Sequence, residues 1–105
     1  MNINEASKLF EGLSSPVRLA IFQVLTAAGD IGMIAGDLAK ALDITPNNLS
    51  FHLKTLTLVG LVHSLQEGRC VRYFAHLDVM NQLQVFLTQE CCGSEPTAFC
   101  CPPDA

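Results

Sequence analysis

Residues 33–60 read M-I-A-G-D-L-A-K-A-L-D-I-T-P-N-N-L-S-F-H-L-K-T-L-T-L-V-G, and their spacing decides the fold. Ile34, Leu38 and Leu42 recur every four residues, which places them on one face of a helix. Asp43-Ile44-Thr45 is a short connection. Thr45 is a good cap for a second helix, with Pro46 at its first position, where a missing N–H costs nothing. Leu49, Leu53 and Leu56 then form a buried stripe. Asn47, Asn48, Ser50, Phe51, His52 and Lys54 lie largely off that stripe, and most of them carry hydrogen-bonding groups. Two short helices joined in this way form a helix-turn-helix, whose second helix enters the major groove of DNA. The same spacing also suits an ordinary helical hairpin with a solvated polar face, so the residues after Gly60 have to decide.

Those residues change period. Leu61–Leu65 and Val71–Ala75 have strand composition, and the polar loop Gln66-Glu67-Gly68-Arg69 joins them. A β-hairpin directly after a helix-turn-helix is the wing of a winged helix. Arg69 near its tip, with Arg72, is placed to meet backbone phosphate; the alternative for both is ordinary solvated surface. His52 either contacts DNA or packs. His63 and His76 receive no role.

Upstream, Ile3 to Leu13 reads as a helix with Ala6, Leu9, Phe10 and Leu13 on one face. Ser15-Pro16 opens another, with Val17, Ala20, Ile21, Val24 and Leu25 on a broad apolar face and Gly29-Asp30 at its end. Both are core or interface, and neither is assigned chemistry. Downstream, Asp78 caps a last helix running to about Glu90, with Val79, Leu83, Phe86 and Leu87 on one stripe and Met80 beside it. That helix has more apolar surface than a small wing can cover. Pairing with the first helix of a second copy would bury it, and a two-fold dimer would set two recognition helices one DNA turn, roughly 34 Å, apart.

With 105 residues the chain makes one domain with a modest core. Half of it is hydrophobic, no apolar run is long enough to span a bilayer, and the N-terminus lacks the basic and apolar regions of a signal peptide, so a cytoplasmic protein is expected. The net charge of −4 argues mildly against nucleic acid, but the charge is unevenly placed: from Ile44 to Leu77 Lys54, Arg69 and Arg72 face Glu67 alone. An acidic body with a basic end fits a DNA binder of moderate salt-dependent affinity.

Five cysteines are many for a reducing compartment, where structural disulfides are disfavoured, and metal or redox chemistry becomes the better explanation. Four of them stand in the last fifteen residues as Cys91-Cys92 and Cys100-Cys101; the chain therefore divides into a winged-helix domain, residues 1–90, and a cysteine-rich tail, residues 91–105. Thiolates are soft ligands. Trivalent arsenic or antimony takes three in a pyramid: Cys91 and Cys92 supply two, Gly93 and Pro96 let the chain fold back, and Cys100 supplies the third, with Cys101 as substitute or accessory. Four thiolates could instead hold zinc or cadmium, although adjacent cysteines strain to face one centre. An idle or oxidising tail is the plain alternative. Cys70, in a predicted strand, reads as a small buried hydrophobe rather than a ligand.

The order of elements and several local sequences resemble the ArsR/SmtB family of metal-sensing winged-helix repressors. Ser14–Leu25, S-S-P-V-R-L-A-I-F-Q-V-L, is similar to the family's second-helix signature. Asp37–Leu56 is similar to its helix-turn-helix, including the S-x-H-L core at Ser50, His52 and Leu53. Val59–Val62 followed by Glu67–Phe74 is similar to its wing. The resemblance runs from about Ala6 to Leu87 and implies a mainly α fold with a β-hairpin wing, dimeric, that binds its operator without ligand and releases it on binding a metal or metalloid. Two family sensor sites are not matched. The C-x-C-D-L stretch of many arsenic sensors is replaced here by Met33-Ile34-Ala35-Gly36-Asp37-Leu38, and the zinc-type site of the last helix finds Asp78 and Glu90 but no histidine after His76. Some arsenic sensors of the family use relocated cysteines, including adjacent pairs near the C-terminus. The resemblance thus favours a repressor released by trivalent arsenic or antimony. A repressor of the same fold that senses thiol oxidation or a divalent metal such as cadmium or zinc is the alternative. A metal-handling or thiol-redox protein comes third: no C-x-x-C lies in a βαβ context, and no acid–base or nucleophile constellation appears, so no enzyme is expected.

Overall fold

A computed structural model describes residues 1–89. The cysteine pairs Cys91-Cys92 and Cys100-Cys101 lie outside the described residues. Helices α1 (Ile3–Leu13), α2 (Pro16–Ala28), α3 (Ala35–Leu42), α4 (Pro46–Val59) and α5 (Leu77–Thr88) accompany a small antiparallel sheet of β1 (Met33–Ile34), β2 (Val62–Glu67) and β3 (Cys70–Ala75), in the order β1-β3-β2. This is a winged helix-turn-helix.

Local chemistry sets most boundaries. The Asn2 side chain accepts from the Glu5 N–H at 2.8 Å and caps α1. Ser15 and Thr45 cap α2 and α4 in the same way, each followed by proline. Helices α3 and α4 each end on a residue in the left-handed region, Asp43 at φ 53° and Gly60 at φ 89°. The turn of the wing is tighter than the four-residue loop expected. Glu67 pairs with Cys70, leaving only Gly68 and Arg69 between the strands. Gly68 at φ 61° in the first of two central positions is the glycine-first turn that suits the right-handed twist of a hairpin.

The core gathers Ile21, Phe22 and Leu25 of α2, Leu38 of α3, Leu49, Leu53 and Leu56 of α4, and Leu61 and Val62 where α4 passes into the wing. Ala39 of α3, Leu83 of α5 and Ala6 and Leu9 of α1 complete it. The stripe of α4 is thus fully buried, and burying each leucine side chain stabilises the fold by about 1.5–3 kcal/mol. One side of α4 is core and the other is an exposed polar face.

Several expectations are corrected. Cys70 is exposed, not buried: it forms the last pair of the hairpin, where the wing projects beyond the core. The N-cap of α5 is His76, with no side-chain cap bond, and Asp78 falls inside the first turn, where its charge still complements the helix N-terminus. Phe10 and Leu87 stand on apolar faces read as core or interface, and at 44% and 56% exposure neither belongs to the core. Ile34 belongs to β1, opposite Arg72, rather than to α3. The approach to β1 depends on Gly32: at φ 65°, a Cβ there would lie 2.5 Å from the Tyr73 carbonyl oxygen and 2.7 Å from the Phe74 ring.

Candidate nucleic-acid interface

With Leu49, Leu53 and Leu56 turned inward, helical geometry turns Asn47, Phe51 and Lys54 to the opposite side of α4. All three are exposed, as are Asn48 and Ser50 on the flanks of that ridge. Phe51 is 66% exposed. The N-terminal turn of the helix is held by the Thr45 hydroxyl, which accepts from the Asn48 N–H at 3.3 Å. Threonine and proline therefore fix where Asn47 and Asn48 begin, and the leucines fix which way they face.

His52 sits at the edge of the ridge, half-buried. Its Nδ1 lies 3.4 Å from the Arg18 Nη1, so it is the acceptor of that guanidinium and its own N–H is on Nε2. Its ring also meets the Phe51 ring edge-on, with centroids 5.6 Å apart. His52 thus packs against both Arg18 and Phe51. Arg18 does more than touch His52. Its Nε donates to the Gly12 carbonyl at 2.7 Å, and its Nη2 lies 3.4 Å from the Glu11 carbonyl. A cation in the first turn of α2 is disfavoured by that helix's dipole; the carbonyls ending α1 offset this. Sequence reasoning gives Arg18 no role. Its partners Gly12 and His52 lie six and thirty-four residues away, so no local pattern announces them.

The two wing arginines differ. Arg69, in the two-residue turn, is exposed and makes no ion pair among the described residues. Arg72 is tied down: its Nε donates to the Glu67 carboxylate at 2.9 Å and its Nη1 to the Ile31 carbonyl at 3.1 Å. Arg72 is thus engaged by Glu67 of the wing and by the turn before β1, while Arg69 at the tip is open to an external anion.

The histidines without an assigned role belong to the frame. His63 stacks on Phe74 at 5.1 Å and meets His76 edge-on at 5.5 Å. His76 joins the end of α4 to the start of α5: its backbone N–H donates to the Leu61 carbonyl at 2.8 Å, and its Nδ1 lies 3.1 Å from the Gly60 carbonyl. Among the described residues, no three His, Cys, Asp or Glu side chains come together to hold a metal ion, and no helix is long and apolar enough to cross a membrane.

Comparison with known proteins agrees with this geometry. A family model described as a helix-turn-helix domain matches residues 13–64. No curated protein sequence matches significantly. Among solved structures, an ArsR-like transcriptional regulator from Rhodococcus sp. RHA1 is 30% identical with a TM-score of 0.66, over 80% of this chain and 76% of that one. HlyU from Vibrio cholerae is 26% identical with a TM-score of 0.67, over 87% of this chain and 99% of its own. The homodimeric winged helix-turn-helix DNA-binding domain of a possible ArsR-family regulator from Mycobacterium bovis shares the fold, with a TM-score of 0.69 at 22% identity, over 84% of this chain and 82% of that one. From its helix-turn-helix, its wing and these relatives, the chain belongs to the ArsR family of winged-helix transcriptional regulators.

Proposed function

We propose that the chain is a homodimeric repressor that releases its operator when trivalent arsenic or antimony binds the C-terminal thiolates. The observation that carries the DNA-binding part is the ridge of α4, where Asn47, Asn48, Ser50, Phe51 and Lys54 stand exposed on a helix whose other side is core. The α4 residues enter the major groove, and Arg69 at the wing tip meets phosphate. Arg72 holds the wing and adds a weaker phosphate contact.

The dimer is supported by the apolar residues left outside the core at one end of the molecule. Ile3 is 76% exposed and Val85 62%. Ile3, Phe86 and Leu87 line one open cleft, and Met1, Val85 and Phe86 line another beside it. A second copy placing its own α1 and α5 there would cover both.

The sensor follows from position and chemistry. Cys91 and Cys92 are separated by two residues from the end of α5, a helix that lines this apolar end, and Cys100 and Cys101 come later in the tail. Cys91, Cys92 and Cys100 form the three-sulfur set, with Cys101 accessory; thiolates select soft ions. Capture of the ion fixes the end of α5 and disfavours the spacing of recognition helices that the operator requires. Ligand and DNA then weaken each other by the same factor.

The test is a titration of the reduced full-length protein on its own promoter fragment with arsenite, antimonite, cadmium, zinc and peroxide in separate arms. Release by arsenite and antimonite at the lowest concentrations is expected. Release by cadmium or zinc alone, or by peroxide alone, replaces the ligand; absence of duplex binding contradicts the repressor.

A further inference from the structure

The polar ridge of α4 has a ring at its centre. Asn47, Phe51 and Lys54 are spaced i, i+4 and i+7 on the side opposite the leucines, so Phe51 stands between an amide and an ammonium. A phenyl ring has no hydrogen bond to give to a base edge or a phosphate. In the chain itself it meets the edge of His52, and two-thirds of it is open. Among base-edge features of the major groove, one matches it: the C5-methyl group of thymine. The neighbouring Asn47 carries the amide that pairs in two-point fashion with the N6 and N7 of adenine. No arginine, the usual reader of guanine, stands on this helix.

From this geometry we infer that Phe51 is a specificity-determining residue that reads a thymine methyl group in each operator half-site, beside an adenine read by Asn47. The inference rests on α4 being the DNA-reading helix and adds what it reads. The contact is one methyl group moved out of water against a ring. Its loss is equivalent to about a fourfold weakening per half-site.

The experiment uses the full-length protein to select duplexes from a library with a randomised stretch. Each thymine of the selected half-site is then replaced singly by deoxyuridine, which removes the methyl group and leaves every hydrogen-bonding atom. One thymine is expected at which uracil weakens binding about fourfold. In Phe51→Ala, thymine and uracil there are bound alike, at the level of wild type on uracil. In Asn47→Ala the methyl discrimination persists while the adjacent adenine preference falls away. Both substitutions are on exposed positions, and circular dichroism checks that they fold. Sequence selection with uracil tolerated at every thymine overturns the inference and leaves the repressor standing. Discrimination that survives in Phe51→Ala also overturns it. Failure to select any duplex overturns the DNA-binding proposal itself, and this inference with it.

Discussion

The Arg18 guanidinium stands 3.4 Å from His52 Nδ1 while its Nε holds the carbonyl of Gly12 at 2.7 Å. One side chain thereby joins three helices: the end of α1, the first turn of α2 and α4, the second helix of the helix-turn-helix. Helix α1 also carries Ile3 of the apolar end proposed for the dimer, and α4 carries the face proposed to read DNA, so Arg18 ties together the two helices that those proposals use.

Arg18→Ala is expected to lower stability by about 1.5–3 kcal/mol, the scale of hydrogen bonds made by a charged group. Arg18→Lys recovers only part, because one ammonium cannot reproduce a planar fork that spans three acceptors. Urea unfolding measures the first effect. DNA affinity at a temperature where both variants are folded shows whether the tie also orients α4; equal affinity would confine Arg18 to stability.

Two glycines close together in the chain are expected to respond oppositely. Gly32→Ala forces a Cβ against the Tyr73 carbonyl and the Phe74 ring in a left-handed conformation, and should cost more than about 2 kcal/mol. Gly36→Ala, in the first turn of α3 with no atom within 4 Å of the added Cβ, should raise stability by up to about 1 kcal/mol. Thermal unfolding midpoints of the pair, moving in opposite directions, check this.

Thr45→Ala removes the hydroxyl that caps α4 and is expected to cost about 1 kcal/mol. Because that cap fixes the start of the helix proposed to read DNA, sequence discrimination should fall further than the stability loss alone explains. Thr45→Ser should retain both.

The wing arginines separate by salt dependence. Arg69→Ala should reduce the slope of log affinity against log salt by about 1 for the phosphate that goes without its cation, with affinity falling on all duplexes alike. Arg72→Ala should change the slope less, since its guanidinium is already engaged by Glu67 and Ile31, and should instead lower the stability of the wing. Affinities measured between low and moderate salt distinguish these outcomes.

The features that can be read from the sequence are those set by residues close together in it. Thr45-Pro46 and Ser15-Pro16 open their helices where expected because a cap and a fixed φ act within one turn. The leucines of α4 are buried as their spacing requires, and that burial exposes Asn47, Phe51 and Lys54. Features set from a distance are not legible in this way. The two-residue β1 exists because β3 offers it an edge, pairing Met33 with Tyr73. Helix α5 starts at Leu77 rather than after an Asp78 cap because the His76 N–H is already bound to Leu61 across the sheet. Cys70 has strand composition but stands at the end of a hairpin that extends past the core, and composition carries no information about that reach. Arg18 and Arg72 look alike as surface cations; only the folded chain shows both engaged with carbonyls.

The central claim is that soft-ion capture at the tail loosens the grip of α4 on DNA. Fluorescence anisotropy of a labelled operator duplex tests it most directly, with arsenite added to the reduced wild type and to Cys91→Ser/Cys92→Ser at one fixed salt concentration. The account predicts release of the duplex by the wild type and full retention by the double variant, with equal affinity before arsenite is added. Equal release from both proteins, or a wild type that keeps its duplex at saturating arsenite, would contradict it.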